Sequence, residues 1–176
     1  ETANNIPAPL EKPIIKQAYI LVKTGTAYKI GKRSLGTVSY RLLSDIERQN
    51  LSINITSNEG GGYFSREILP LAKVKDCLTS AAKDKPFSSK LFKDAFVGRS
   101  ANNAGFLTAI LYGEGLLIRA PNTQSLYVLG EDWDSWTSTM LDVEGERIEI
   151  EVPSIKRTDD SQGSEETMEG QHEDTA

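Results

Sequence analysis

The segment 51–62 constrains the fold most, because its first half alternates apolar and polar side chains. Leu51, Ile53 and Ile55 are separated by single polar residues, and the segment ends in three successive glycines. Strict alternation is typical of a β-strand with one buried face, and a glycine-rich stretch ends a strand in a flexible loop. The chain is therefore predicted to contain a sheet, with this segment as one of its strands.

Two strands and a turn are predicted earlier in the chain. A β-rich stretch at 18–22 and a second at 27–31 flank a short turn at 23–26, which is the pattern of a β-hairpin. Beyond the glycines, residues 70–83 predict a helix, since proline is tolerated in a first helical turn.

Residues 37–50 allow two interpretations. As a strand, Val38, Tyr40 and Leu42 alternate with polar residues. As a helix, Val38, Leu42 and Ile46 form one stripe. The helix is the favoured interpretation, because no glycine, proline or asparagine turns the chain before the end of the stretch. The first half of the chain is then predicted to have the element order ββαβα.

The second half of the chain predicts a winged helix-turn-helix. Its elements are a short amphipathic helix at 87–96, a helix at 100–113 and two strands at 116–119 and 125–129. The order helix, turn, helix and β-hairpin resembles the winged-helix family by pattern. A further strand pair is predicted at 137–143 and 147–152.

The expected fold class is α+β, a ββαβα module followed by a winged helix. The predicted regions are a flexible leader at 1–13, an α/β module at 14–85, a winged-helix-like module with C-terminal strands at 86–152, and a disordered acidic tail at 153–176. No apolar run approaches the roughly 18 residues of a membrane span, and no signal-peptide pattern occurs. We therefore expect an intracellular protein of the cytoplasm, nucleoid or nucleus, with no membrane association.

Charge is divided unevenly along the chain. The formal net charge is -5, yet residues 12–130 hold 17 Lys and Arg against 8 Asp and Glu, a net of +9. Residues 131–176 hold 3 Lys and Arg against 15 Asp and Glu, a net of -12. A basic body suits a polyanion such as DNA. The acidic end suits a basic protein partner, or docking on the body itself.

The single cysteine and the single histidine narrow the possible chemistry. Cys77 has no partner for an intrachain disulfide, and His172 lies in a polar stretch. Zinc sites of Cys and His, Cys–His nucleophilic pairs and Ser-His-Asp triads are therefore excluded. Any catalysis has to use carboxylates, tyrosines, lysines or arginines.

The stretch AYILVKTGTAYKIGKRS, followed by a predicted helix, resembles the opening of the GIY-YIG endonuclease family over about residues 17–80. Tyr19 matches the tyrosine of the first motif, residues 29–31 match the second motif, and Arg41 matches the helix arginine. The resemblance implies metal-dependent hydrolysis of phosphodiester bonds in DNA. It implies Mg²⁺ or Mn²⁺ bound through Glu67, and the catalytic residues Tyr19, Tyr28, Arg41 and Glu67.

Exposed cations and polar side chains are the predicted DNA contacts. In a winged helix the start of the last helix meets base edges, and the wing touches phosphate or the minor groove. Together with the basic residues of the first module and the short helix, the predicted contacts are Lys29, Lys32, Arg33, Lys90, Lys93, Arg99, Ser100, Asn102, Asn103, Arg119 and Gln124.

These features predict a DNA-binding protein that either cuts DNA or only binds it; without catalysis, no cofactor is expected. The alternative is a non-catalytic transcription or replication accessory protein that binds single- or double-stranded DNA. If residues 37–43 form a strand, YKIGKRSLGTVSYRL with LSINITSNEGG resembles the eukaryotic positive-cofactor type of coactivator, which implies single-strand binding. A third hypothesis is a protein-interaction adaptor that uses the acidic end with Trp133 and Trp136.

Overall fold

Five antiparallel strands form the main sheet. The computed structural model describes residues 14–81 and 84–153. The strands lie in the order β4-β3-β2-β1-β7. Their bounds are β1 Ile14–Tyr28, β2 Thr37–Ser44, β3 Leu51–Asn58, β4 Ile68–Pro70 and β7 Glu146–Pro153, and a separate hairpin consists of β5 Leu117–Arg119 and β6 Tyr127–Leu129. The fold is therefore a mixed class of helices and antiparallel strands.

The helices cover one face of this sheet. They are α1 Leu71–Thr79, α2 Asn103–Gly113 and α3 Trp133–Leu141, together with a 3-10 helix at Ser89–Ala95. Buried side chains of all four join one hydrophobic cluster with Val38, Tyr40 and Leu42 of β2. Residues 106–111 of α2 are buried without interruption. A helix buried on every side is a core element, so α2 is the centre of the protein.

The predicted helix at 37–50 is wrong, because residues 37–44 form β2. Its register with both neighbours places Tyr40 and Leu42 against the helices, while Arg41 lies on the opposite face. The chain turns at Asp45, whose carboxylate accepts hydrogen bonds from the backbone N–H of Gln49 at 2.7 Å and of Asn50 at 3.1 Å. The element order ββαβα is therefore not observed.

The predicted hairpin at 18–31 is also wrong, since β1 continues through the predicted turn. Gly25 pairs with Tyr40 of β2, and the hairpin forms between β1 and β2 instead. A Cβ on Gly25 would lie 2.6 Å from Cζ of Tyr40. Glycine is needed there because the tyrosine ring crosses the strand, and not because the chain turns.

From residue 70 onward, most predicted elements are confirmed in position. The helices at 70–83 and 100–113 correspond to α1 and α2, the strands at 116–119 and 125–129 to β5 and β6. The helix at 87–96 is a 3-10 helix.

The predicted strand at 137–143 is wrong, because these residues belong largely to α3. Asp132 caps that helix by accepting from the N–H of Asp134 at 2.9 Å and of Ser135 at 3.1 Å. The predicted strand at 147–152 is β7, but its partner is β1.

The two predicted modules share this sheet and this core. β7 from the second module pairs with β1 from the first, and the hydrophobic cluster includes residues from both sides of the predicted boundary at 85/86. The predicted leader 1–13 lies outside the described residues, as does the predicted tail 153–176 apart from Pro153. Within the described part of the chain, no helix has the length and apolar character needed to cross a membrane.

Candidate nucleic-acid interface

Three loop segments meet at one edge of the sheet, and we call residues 29–36, 59–67 and 97–103 together the loop edge. Nζ of Lys29 donates to the carbonyl of Glu59. Nδ2 of Asn102 donates to the carbonyl of Tyr63 at 2.9 Å. These contacts tie the β1–β2 loop, the glycine-rich loop and the start of α2 into one surface.

Glu67 fixes two of these segments to each other. Its carboxylate accepts from the N–H of Val97 at 3.0 Å, from the N–H of Gly98 at 3.0 Å and from Oγ of Ser65 at 2.6 Å. Burial alone would raise the pKa of Glu67, but these hydrogen bonds and the charge of Lys73 hold it below its ordinary value. Glu67 therefore acts as an anionic clamp between two loops.

Asn103 is part of the same clamp. The sequence predicts an exposed side chain that reaches DNA, and this is wrong, because only 2% of Asn103 is exposed. Its Oδ1 accepts from the N–H of Ser65 at 2.8 Å, and its Nδ2 donates to the carbonyl of Gly98 at 3.0 Å. Both ends of the amide are therefore occupied by the protein's own backbone.

A cavity of about 510 Å³ opens between the clamped segments. Tyr63, Arg66 and Arg99 lie along it. The Tyr63 side chain is 87% exposed, whereas its carbonyl is held by Ser100 and Asn102. The backbone at this tyrosine is therefore fixed while its ring stays available.

The cations around this cavity form no ion pair with any acid of the described residues. Ion pairs within residues 14–81 and 84–153 are limited to Lys23–Glu114 and Lys75–Asp134. Arg66 instead donates from Nη1 to the carbonyl of Thr56 at 3.0 Å, and its guanidinium lies 5.1 Å from the ring centre of Phe64. The loop edge holds the five cations Lys29, Lys32, Arg33, Arg66 and Arg99 against the two acids Glu59 and Glu67, so it keeps a net positive charge.

The four residues that the GIY-YIG resemblance implies as catalytic are separated. Tyr19 pairs with Ile148 of β7, whereas Arg41 pairs with Thr24, five positions further along β1. At about 3.3 Å per residue this is roughly 16 Å of strand. Tyr28 is 83% exposed at the end of β1, and Glu67 is the loop clamp. No group of three Cys, His, Asp or Glu side chains able to hold a metal ion occurs in the described ranges.

The remaining predicted contacts are divided between two regions. Lys93 and Arg99 line a second cavity of about 640 Å³ beside the loop edge, and Lys90 is exposed on the same 3-10 helix. Arg119 lies elsewhere, on the β5–β6 hairpin. It donates to the carbonyl of Gln124, and its guanidinium lies 5.3 Å from the ring centre of Tyr112.

The two tryptophans of the adaptor hypothesis serve packing. Trp136 is buried in the hydrophobic cluster. Nε1 of Trp133 donates to the carbonyl of Leu116 at 3.0 Å. Both rings therefore hold α3 against the core.

Sequence reasoning missed Tyr63 and Arg66, which line the first cavity. The signal available in the sequence was an aromatic residue directly after the glycine run, with an arginine three positions later.

Comparison of the chain with protein-family models, with curated proteins and with solved structures finds no match.

Proposed function

We propose that this protein binds single-stranded DNA at the loop edge, without cleaving it. The observation that carries the proposal is one cavity lined by the exposed Tyr63 and by Arg66 and Arg99, two cations that form no ion pair within the described part of the chain. Proteins that bind single strands combine a basic groove for the backbone with aromatic rings on which bases stack.

The burial of α2 favours a single strand over a duplex. A helix that reads the major groove has to present an exposed face to the bases. In α2 the stretch 106–111 is buried, and Asn103 in its first turn is bonded to the backbone. The exposed features near this helix are instead loops and aromatic rings, which suit unstacked bases.

Cleavage is left out of the proposal because of the geometry of Glu67. Its two oxygens are used by three donors of the chain, and Tyr19 and Arg41 stand at different places along β1. A water-activating group, a cation and a phosphate-binding arginine have to converge within hydrogen-bond reach of one phosphate. Single-strand binding needs no such convergence.

The test is fluorescence anisotropy with a labelled oligothymidylate of about 20 nucleotides, with a duplex of the same length as competitor. The wild-type protein is expected to bind the single strand more tightly than the duplex, with affinity that falls as salt rises from about 50 to about 200 mM. Tyr63→Ala is expected to weaken binding about tenfold, and Tyr63→Phe to keep most of it, because stacking needs only the ring.

Lys16→Ala is the matched control for loss of charge. Arg99→Ala should weaken binding and lower the salt slope by about 0.7, the value for one lost phosphate contact on a single strand. Lys16 is twelve residues before Tyr28 on β1, at most about 40 Å along the strand at 3.3 Å per residue, so its removal should change little. Equal losses in the two variants would mean that net charge and not this cavity binds DNA, and salt-independent or absent binding would refute the proposal.

A further inference from the structure

Arg41 is held rigidly on the sheet face opposite the helices. It lies on β2, the middle strand, and donates from Nε at 3.2 Å and from Nη2 at 2.8 Å to Oδ1 of Asn54. Asn54 is only 3% exposed, and its Nδ2 donates to the carbonyl of Arg66 at 2.8 Å. The guanidinium is therefore oriented by a buried amide that is itself fixed at both ends.

Arg41 shares a cavity with several hydroxyl side chains. A shallow cavity of about 500 Å³ over the strands is lined by Arg41 and by Thr24, Thr26, Ser39 and Thr56. No Asp or Glu lines it. Asn54 is neutral, and Arg41 takes part in neither ion pair of the described residues. The positive charge is therefore oriented but not neutralised.

The cavity adjoins the loop edge through Thr56. The hydroxyl-lined cavity includes Thr56, and the carbonyl of the same residue accepts the hydrogen bond from Arg66. The cavity that contains Arg41 is therefore next to Arg66 of the loop edge.

We propose that Arg41 and its hydroxyl neighbours form a second subsite, which binds one phosphodiester group of the same single strand on the open sheet face. The inference rests on the single-strand binding proposed above and extends it from the loop edge onto the sheet. Nη1 of Arg41 makes no hydrogen bond within the described residues and is available for charge-assisted bonds to phosphate oxygens. The threonine and serine hydroxyls supply neutral donors beside it.

The test uses a pair of variants at Thr24, which is exposed on β1 directly opposite Arg41. Thr24→Asp places a carboxylate beside the guanidinium, where it competes with phosphate, whereas Thr24→Asn is a neutral side chain of the same size. By anisotropy with the labelled oligothymidylate, Thr24→Asp is expected to weaken binding about tenfold relative to Thr24→Asn. Arg41→Gln is expected to weaken it similarly and to lower the salt slope by about 0.7.

The outcomes separate this subsite from the function on which it rests. If Tyr63→Ala weakens binding while Thr24→Asp and Thr24→Asn bind alike, the second subsite is refuted and the loop edge remains. If the wild-type protein binds no oligothymidylate, both proposals fall. Because Arg41 holds Asn54, Arg41→Gln is interpreted only if its circular dichroism and melting match the wild type; the Thr24 pair decides the matter if they do not.

Discussion

The carboxylate of Glu67 accepts a hydrogen bond of 3.0 Å from the backbone N–H of Gly98, across 31 positions of sequence. Gly98 directly precedes Arg99, and Glu67 directly follows Arg66. One carboxylate therefore sets the spacing of the two arginines that border the same cavity. If that cavity binds DNA, the backbone positions of the arginines are fixed before the ligand arrives, which reduces the entropy lost on binding.

Replacing Glu67 by glutamine is expected to destabilise the protein by about 1–2 kcal/mol, because the amide cannot accept from three donors with its single oxygen. Chemical unfolding in urea measures this change. Glu47→Gln is the control, since Glu47 is exposed on the Asp45 turn. Equal stability of the two variants would show that the clamp contributes nothing.

Acid should remove the contribution of Glu67. Hydrogen bonding lowers its pKa in the folded protein below the ordinary value of 4.5, despite the opposing effect of burial. A carboxyl group with a lowered folded pKa stabilises the protein above its unfolded pKa, and this contribution is lost as pH falls through the folded pKa. The difference in unfolding free energy between wild type and Glu67→Gln should therefore shrink from about pH 6 to about pH 3. A difference that stays constant over this range would contradict the assignment.

Gly25→Ala is expected to destabilise the protein by about 1–3 kcal/mol, through overpacking against Tyr40. The new Cβ would lie 2.6 Å from the Tyr40 hydroxyl oxygen. The ring cannot swing away freely, because this hydroxyl donates to the Glu114 carboxylate, which also binds Nζ of Lys23 at 2.8 Å. A thermal melt followed by circular dichroism measures the loss.

Gly105→Ala is the control for Gly25→Ala in the same thermal melt, and the opposite effect on stability is expected. Gly105 lies inside α2, and a Cβ placed on it would have no atom of the described residues within 4 Å apart from its chain neighbours and the backbone of the helix itself. This variant should therefore stabilise the protein by about 0.4–1 kcal/mol, since alanine favours the helix and restricts the unfolded chain. If Gly25→Ala and Gly105→Ala shift the melting temperature in the same direction, the predicted effect of the close approach of Tyr40 to Gly25 is contradicted.

Deleting residues 158–176 is expected to strengthen binding of the oligothymidylate at low salt. This segment contains seven acidic residues and no Lys or Arg, so it can compete with phosphate for the loop edge. The gain should fade as salt rises, because screening weakens the competition. A full-length variant with the seven acids changed to Asn or Gln should show the same gain. Affinity that is unchanged at low salt in both proteins would exclude such competition.

The local sequence pattern was sufficient to predict secondary structure where apolar side chains recur at a regular spacing. The strand that begins at Leu51 and the helix at 100–113 could be predicted because their apolar residues recur at strand spacing and at helix spacing, respectively. For residues 37–44 the helical and strand periods are both present, and pairing with β1 and β3 decides between them. That pairing is long-range, so no property of the segment itself could reveal it.

The candidate site could also be predicted only in part, because long-range contacts form it. The positive charge of the body was visible in the sequence, but its grouping was not. Only the GIY-YIG resemblance assigned a role to Glu67, because its hydrogen-bond partners are backbone N–H groups 30 and 31 positions away, which no local pattern reveals. Asn54, which orients Arg41, gave no signal for a similar reason: it is an ordinary polar residue of an alternating strand.

The pairing of β7 with β1 has a consequence for how the protein is made. Ile14 is the register partner of Pro153, so the outermost strand of the sheet is among the last described residues to leave the ribosome. Until then residues 14–19 of β1 have no neighbouring strand, because the pairing of β1 with β2 ends at Ile20. Such a distant contact makes closure of the sheet slow and exposes the strand during synthesis. The nascent chain is therefore expected to depend on chaperones until residue 153 has emerged.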